Sequence, residues 1–429
     1  MLPARAAEAA ARHSYGRLLA WLAWQWRDIA AAEDALAEAV ASALERWPVD
    51  GVPASPEGWL MTAAKRQLLM AARRQRLADD PALTVLWPSH DDAAAELPAL
   101  PDSRLRLMFV CAHPAIEPTA QCALMLQTVL GLDAARIASA FLVKPAAMTQ
   151  RLVRAKAKIK STGIRFEDAE PSEWPQRLAS VLEAIYAAYT LHWGQADGDV
   201  AGQLADEAMF LAELVAASLP LESEALGLLA LLRLCEARRP ARLDARGRFV
   251  PLHEQDTRRW NHALIAGANE SLAQAAAQRA PGPYQLEAAV QAAHVQGAID
   301  KTVPWAGIAR LYDRLLALAP TVGARIGHAV ASAHASADAT AGLALLAAID
   351  AERVATHQPW WAARAHLLAM AGDDAAASEA FGRALALTVE PALRDWLAQR
   401  REAHVLAASG APPQRPQRPP VTSSTAPVV

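Results

Sequence analysis

Residues 118–160 read PTAQCALMLQTVLGLDAARIASAFLVKPAAMTQRLVRAKAKIK, and this stretch decides the fold. Pro118 sits where a first helical turn tolerates a missing N–H, the helix runs on through Leu124 and Leu126, and Gly131 supplies a left-handed C-cap. Asp133 then caps a short helix predicted over 134–140, Phe141 to Lys144 turn the chain, and Pro145 opens a third helix. Within it Met148, Leu152, Ala155 and Ile159 recur at spacings of four, three and four, which defines one buried stripe. At about 100° per residue, Ala147, Gln150, Arg151, Arg154 and Lys158 project to the other side. The pattern is a helix-turn-helix whose last helix presents long polar and cationic side chains. Many helical hairpins share the apolar spacing, so it is the exposed charge that distinguishes this one.

The surrounding chain is of the same kind. Alanine is abundant throughout, aromatics are 6%, and no stretch sustains the alternation a sheet requires, so the expected fold class is all-α. A first helical block is predicted from about residue 5 to 78, broken over 47–56, where Pro48, Pro53, Pro56 and Gly51 are expected to forbid continuous helix. Pro81, Pro88, Pro98 and Pro101 with Asp79, Asp80, Asp91, Asp92 and Glu96 mark an acidic, flexible linker. The Pro-, Ser- and Thr-rich end has little to bury and is expected to be disordered. The predicted organisation is a helical domain over 1–78, a linker over 79–102, a helix-turn-helix domain over 103–165, a C-terminal helical domain over 173–408 and a tail over 409–429. At roughly 150 residues per domain, 429 residues suit about three domains.

With 53% apolar and 20% charged residues and a formal net charge of −3, the chain is neither a disordered tail protein nor a uniformly basic coat. Any DNA-binding surface must be local. Between Met61 and Arg76 the chain carries Lys65, Arg66, Arg73, Arg74 and Arg76 with no acid, and 136–165 holds Arg136, Lys144, Arg151, Arg154, Lys156, Lys158, Lys160 and Arg165, again with none. A solvated helix face normally mixes both signs, so two single-sign stretches in a net-negative chain fit phosphate contacts. Two exposed basic faces without a partner are the plainer alternative. The longest apolar runs, such as 225–232, are far shorter than the roughly 20 residues of a membrane span, and the N-terminus has no secretory core, so a cytoplasmic protein without membrane contact is expected. Cys111, Cys122 and Cys235 form no CxxC pair and read as buried small hydrophobes. No Gly-rich phosphate loop, HExxH or GxSxG occurs, and His192, His253, His262, His294, His328, His334 and His366 show no metal spacing, so no catalysis, cofactor or metal is expected.

The order of these parts resembles the extracytoplasmic-function sigma factors of bacterial RNA polymerase, within the sigma-70 family, and among them the subgroup with a C-terminal tetratricopeptide-like helical extension. Residues 32–39 (AEDALAEA), Trp47-Pro48, Gly51-Val52-Pro53 and Gly58-Trp59-Leu60 are similar to sigma region 2. Residues 105–114 (LRLMFVCAHP), Arg136-Ile137-Ala138, Phe141-Leu142-Val143 and 150–156 (QRLVRAK) are similar to region 4, while 282–286 (GPYQL) and 311–315 (LYDRL) fit the extension. The resemblance covers about Tyr15 to Arg401. It implies a region 2 helical bundle, a region 4 helix-turn-helix and a helical-repeat domain that regulates them. Asp34 and Glu38, four apart on a helix that also carries Asp28, Glu33 and Glu45, share a negative face. By resemblance that face docks on the beta-prime clamp helices of the polymerase core. Residues 49–57 take the place of a pocket for a flipped −10 base, with Trp59 either core or stacking platform. Lys65, Arg66, Arg73, Arg74 and Arg76 would follow the promoter backbone, and Lys144, Gln150, Arg151, Arg154 and Lys158 would contact the −35 element, reading guanine edges or holding phosphates.

Two departures from the family pattern stand out. Leu69-Met70-Ala71-Ala72 replaces a run that usually holds an acid, and Lys144-Pro145-Ala146-Ala147 replaces Pro-Glu-Pro-Thr. Alanine offers no hydrogen bond to a base. A sigma-derived adaptor that binds polymerase without opening promoters is therefore the alternative, and an ordinary helix-turn-helix repressor a third reading. In the extension, Trp361, Ala365, Leu368, Gly372, Ala377, Phe381 and Ala384 fit a tetratricopeptide unit, and Ile308, Tyr312 and Leu315, closed by Pro320, fit the second helix of a weaker copy. The extension reads either as a module that senses a regulatory protein or ligand, or as packing that stabilises the rest.

Overall fold

The computed structural model describes residues 3–79, 102–141, 143–162, 164, 173–193 and 198–408. The chain divides into two compact units, Met1–Pro220 and Leu221–Val429. The described residues are overwhelmingly α-helical and contain no strand, only an isolated bridge between Leu243 and Phe249. The fold class is thus all-α. No helix among the described residues is long and apolar enough to cross a membrane. The expected tail 409–429, most of the expected linker 79–102, Arg165 and the side chain of Arg76 lie outside the described residues.

The first unit contains α1 (Pro3–Trp26), α2 (Ile29–Asp50), α3 (Pro56–Asp79), α4 (Arg104–Cys111), α5 (Pro118–Thr128), α6 (Ala134–Ala140), α7 (Pro145–Thr162), α8 (Trp174–Trp193) and α9 (Gly198–Ser218). Helices α1, α2 and α3 pack on one another, and α1 also rests on α4 and α5. Leu18, Leu19 and Leu22 of α1, Leu36 of α2, Leu60 and Met61 of α3, Met108 of α4 and Leu124 and Met125 of α5 are fully buried. Each such side chain contributes about 1.5–3 kcal/mol of burial. At Gly16 the backbones of α1 and the end of α5 all but touch, since a Cβ there would lie 1.9 Å from the carbonyl oxygen of Val129.

Helix α5 ends as its sequence dictates. Gly131 takes φ +66°, its N–H reaches Gln127 O at 3.0 Å, and Leu132 N–H reaches Leu126 O at 3.1 Å. Asp133 caps α6 by accepting from Arg136 N–H at 2.8 Å. Two features near the N-terminus differ from expectation. Helix α2 does not stop at Pro48 but runs through it to Asp50. Pro48 and the turn before it at Leu44 are exposed, so water can take the carbonyl that loses its partner. The connection shrinks to 51–55, opened by Gly51 at φ +88°. The first block also breaks at Arg27, which takes φ +55° before Asp28 caps α2.

Helices α8 and α9, assigned to the extension from sequence, pack on α4 and α5 inside the first unit. Arg177 donates to Phe109 O at 3.2 Å, Ser180 donates to Gln121 at 2.6 Å, and Trp174 lies against Phe109 with ring centroids 5.7 Å apart.

The second unit is a succession of antiparallel helices: α10 (Ser223–Arg238), short 3₁₀ turns at Arg239–Ala241, Leu252–Glu254 and Thr257–Arg259, then α11 (His262–Ala277), α12 (Pro283–Asp300), α13 (Trp305–Leu318), α14 (Val322–Ser336), α15 (Ala339–Ala347), α16 (Ala351–Val354), α17 (Gln358–Met370), α18 (Asp374–Leu387) and α19 (Pro391–Ala408). The α17–α18 hairpin buries Ala365, Leu368, Ala377, Phe381 and Ala384 together with Leu397, while Gly372 turns the chain at φ +81°. Ile308 and Leu315 are the buried residues of α13. This resembles tetratricopeptide packing loosely. Glu224 of α10 accepts from the N–H groups of Tyr284 and Gln285, both at 3.0 Å, and so caps α12 from a neighbouring helix. Glycine is required on both sides of that cap: a Cβ on Gly282 would meet the Glu224 carboxylate and one on Gly227 the backbone of Gln285.

Candidate nucleic-acid interface

Helix α7 lies on α5 and α6 through Met148, Leu152, Ala155 and Ile159, all buried. These are the residues predicted for its inner stripe. Its outer face carries Ala147, Gln150, Arg154 and Lys158, all exposed, and Arg151, half-buried, with exposed Lys144 just before its first turn. Arg151 reaches back to Thr119 O at 3.4 Å, and Arg154 to Gln150 O at 3.4 Å. Among the described residues no carboxylate pairs with Lys144, Arg151, Arg154 or Lys158. The face is positive and uncompensated.

On α3, Arg66, Arg73 and Arg74 are exposed and have no carboxylate partner among the described residues, Arg74 donating to Met70 O at 3.5 Å. They follow the i, i+3, i+4, i+7, i+8 stripe of one helix face, and the intervening positions are Leu69 and Met70, 59% and 49% exposed. The strip therefore mixes cations with apolar side chains open to solvent. Lys65 belongs to a different face: it is half-buried, with its ammonium 4.3 Å over the ring of Trp21. Nearby, Trp47 is fully buried, and half-buried Trp59 meets it edge to face at 5.6 Å, so Trp59 is chiefly a packing residue. Glu57, in the first turn of α3, is paired with Arg17 of α1.

Asp34 and Glu38 are both exposed on α2. Asp28 and Glu33 do not join their face. Glu33 is turned toward α7 and pairs with Lys156, the two side chains only 17% and 13% exposed, while Asp28 pairs with Lys160 at 2.8 Å. Burial pushes the Glu33 carboxyl above the ordinary glutamate range, against the pull of Lys156. At Asp28 burial acts the same way, but the Lys160 ammonium and backbone N–H groups outweigh it and hold the carboxyl below the usual range. These cross-helix pairs escaped the sequence reading. The one local signal was Asp28 itself, a residue suited to an N-cap.

The exposed side of α2 opens onto a cleft of about 1090 Å³, walled by Val40 and Leu44 of α2 and by Leu204 and Phe210 of α9. Arg104 lies at its edge, held by Asp102 at 2.6 Å and by Glu207, its guanidinium 4.5 Å over the Phe210 ring. Asp102 is kept below the ordinary aspartate range: burial raises it, but hydrogen bonds and charge from Arg104 lower it further.

The fold and this surface define an all-α protein of two helical units, the first of which packs α7 on α5 and α6. The chain belongs to the family of the uncharacterized protein R00370 of Rhizobium meliloti (strain 1021), with which it is 36% identical over 370 residues, spanning 84% of this chain and 87% of the relative. Residues 177–276, from α8 into α11, match a family of unknown function, DUF6596. No solved structure matches the chain.

Proposed function

We propose that this protein is an RNA polymerase sigma factor of the extracytoplasmic-function type, working in the cytoplasm with core polymerase and promoter DNA as its partners. The observation that carries the reading is α7, whose apolar stripe is spent on α5 and α6 while Lys144, Gln150, Arg151, Arg154 and Lys158 face outward without acids. A helix so arranged fits a major groove. The Arg66, Arg73 and Arg74 strip supports a second contact along the −10 region, where Leu69 and Met70 give unstacked bases an apolar surface. Asp34 and Glu38, both exposed on α2, suit a basic helix of the polymerase clamp. The helical hairpins of the second unit suit a regulatory module that takes a protein or ligand. The mechanism is binding energy, with no covalent step. Run-off transcription with purified core enzyme on the gene's own upstream DNA tests the reading. No start-site signal above core alone, together with no core binding, rejects it.

A second reading, a sigma-derived adaptor that has lost promoter opening, is favoured by Ala147, exposed in the first turn of α7 where a base-reading side chain would sit, and by Met70. Polymerase pull-down without an open-complex footprint would select it.

A further inference from the structure

The two lysines of α7 that are not on its free face, Lys156 and Lys160, are both engaged by carboxylates of the α1–α2 corner and the first turns of α2. This pairing has the chemistry of a phosphate contact with the phosphate replaced. Each lysine donates to one carboxylate oxygen, and the two acids lie five residues apart on one segment, facing lysines four residues apart on one helix. The contact is also poorly settled. The second oxygen of Glu33, Oε1, is buried and has no hydrogen-bond partner, which leaves the desolvation of that carboxylate uncompensated. A buried ion pair of this kind stabilises little in net terms, because the charges give up their hydration to make it. The neighbours do not improve it: Asp34 adds like charge to Glu33, and half-buried Tyr15 and buried Cys111 both feel the Glu33 charge. Lys160, in contrast, has a side chain 66% exposed, so its bond to Asp28 already borders solvent.

We propose that Lys156 and Lys160 are nucleic-acid phosphate ligands held in reserve, with Glu33 and Asp28 occupying them as internal phosphate mimics until a polyanion takes their place. The proposal rests on the sigma-factor reading above and deepens it: the free face of α7 makes the first contact with the duplex, and opening this two-pair latch adds Lys156 and Lys160 from the other side of the same helix. While a carboxylate holds it, each of these lysines neutralises no phosphate and displaces no counterion, so a mixed-sequence duplex is expected to leave most native molecules with both pairs intact. Freed of Glu33 and Asp28, the two lysines displace cations condensed on the DNA phosphates as any other cationic ligand does.

The test is fluorescence anisotropy of a mixed-sequence B-form DNA duplex with the full chain, titrated with salt. The double variant D28N/E33Q keeps an N-cap at position 28, since asparagine caps as well as aspartate. It is expected to bind more tightly and to steepen the salt dependence by about 1.8, from about 0.9 per released phosphate site. Adding K156Q and K160Q is expected to return both quantities to the native values. Native affinity and slope in a folded D28N/E33Q protein overturn the proposal, and so does a gain that survives removal of the lysines. If burial of an unpaired Lys156 prevents folding, D28N alone frees the solvent-bordering pair and is expected to give about half the change, about 0.9; no change in slope overturns the proposal equally. The sigma-factor reading fails separately: if run-off transcription works but the slopes do not move, only the latch is wrong, whereas a chain that binds neither duplex nor polymerase in any variant loses both.

Discussion

Replacing Arg151 and Arg154 together by alanine is the most direct probe of α7. Neither side chain is structural: Arg154 is exposed, Arg151 is half-buried with one long bond to Thr119 O at 3.4 Å, and neither belongs to the buried stripe. The double variant should therefore melt within about 0.5 kcal/mol of the native protein, as surface substitutions do. The face offers four cations, Lys144, Arg151, Arg154 and Lys158. At about 0.9 per phosphate they would give a slope of log K on log salt near −3.6, and the variant about −1.8. Over a roughly fourfold rise in salt, native affinity should then fall by about two decades and the variant's by about one. Anisotropy titrations with a labelled duplex at several salt concentrations measure this. A variant that loses affinity with its slope unchanged would show that these arginines do not touch phosphates, and one that binds like the native protein would show that α7 faces elsewhere.

Other outcomes follow from packing and ionisation. Leu152→Ala, at a site 2% exposed between α7 and its neighbours, should cost the first unit about 2–5 kcal/mol in a denaturant melt. A change below about 0.5 kcal/mol there would mean α7 is not seated on that stripe. In the second unit Gly227→Ala would press a methyl to 2.5 Å from the backbone N of Gln285, where no side chain can yield, and should cost about 1–3 kcal/mol. His294 is pushed down to about 4, chiefly by burial and then by the charge of Arg238. The unfolded chain therefore binds the proton first as pH falls. The contribution is complete above the ordinary value near 6.5 and is lost on descending toward 4, to the order of 3 kcal/mol. Melts of the native protein and His294→Asn across that range should converge at low pH, and parallel curves would contradict the burial of this imidazole. Asp28 and Asp102, both held low, act at more acid pH: the stability they give the first unit is present above the ordinary aspartate value and disappears as pH drops below it.

The succession α5, α6, α7 was legible because its punctuation is local. Pro118, Gly131, Asp133 and Pro145 each act on their own turn, and the stripe of Met148, Leu152, Ala155 and Ile159 is a periodicity that survives folding unchanged. Pro48 misled because the cost of proline inside a helix depends on whether water can reach the orphaned carbonyl, which a sequence does not state. The pairing of Lys156 with Glu33 joins residues 123 apart, and that of Arg104 with Glu207 residues 103 apart. Nothing in either local sequence nominates the partner, so the single-sign basic run gave no hint that Lys156 and Lys160 are engaged while Lys158 is open. Likewise, one of the contacts that dock α8 on α4 and α5 is Arg177 reaching a backbone oxygen at Phe109, an acceptor that every residue possesses.

The seat of Gly16 against Val129 sets how closely α1 can approach the end of α5. With no side chain between the two backbones, α1 has no cushion to compress and cannot slide along α5 without collision. A bulkier residue in place of Gly16 would have to push the two helices apart at this point, since the atom it meets is a backbone carbonyl that cannot turn away.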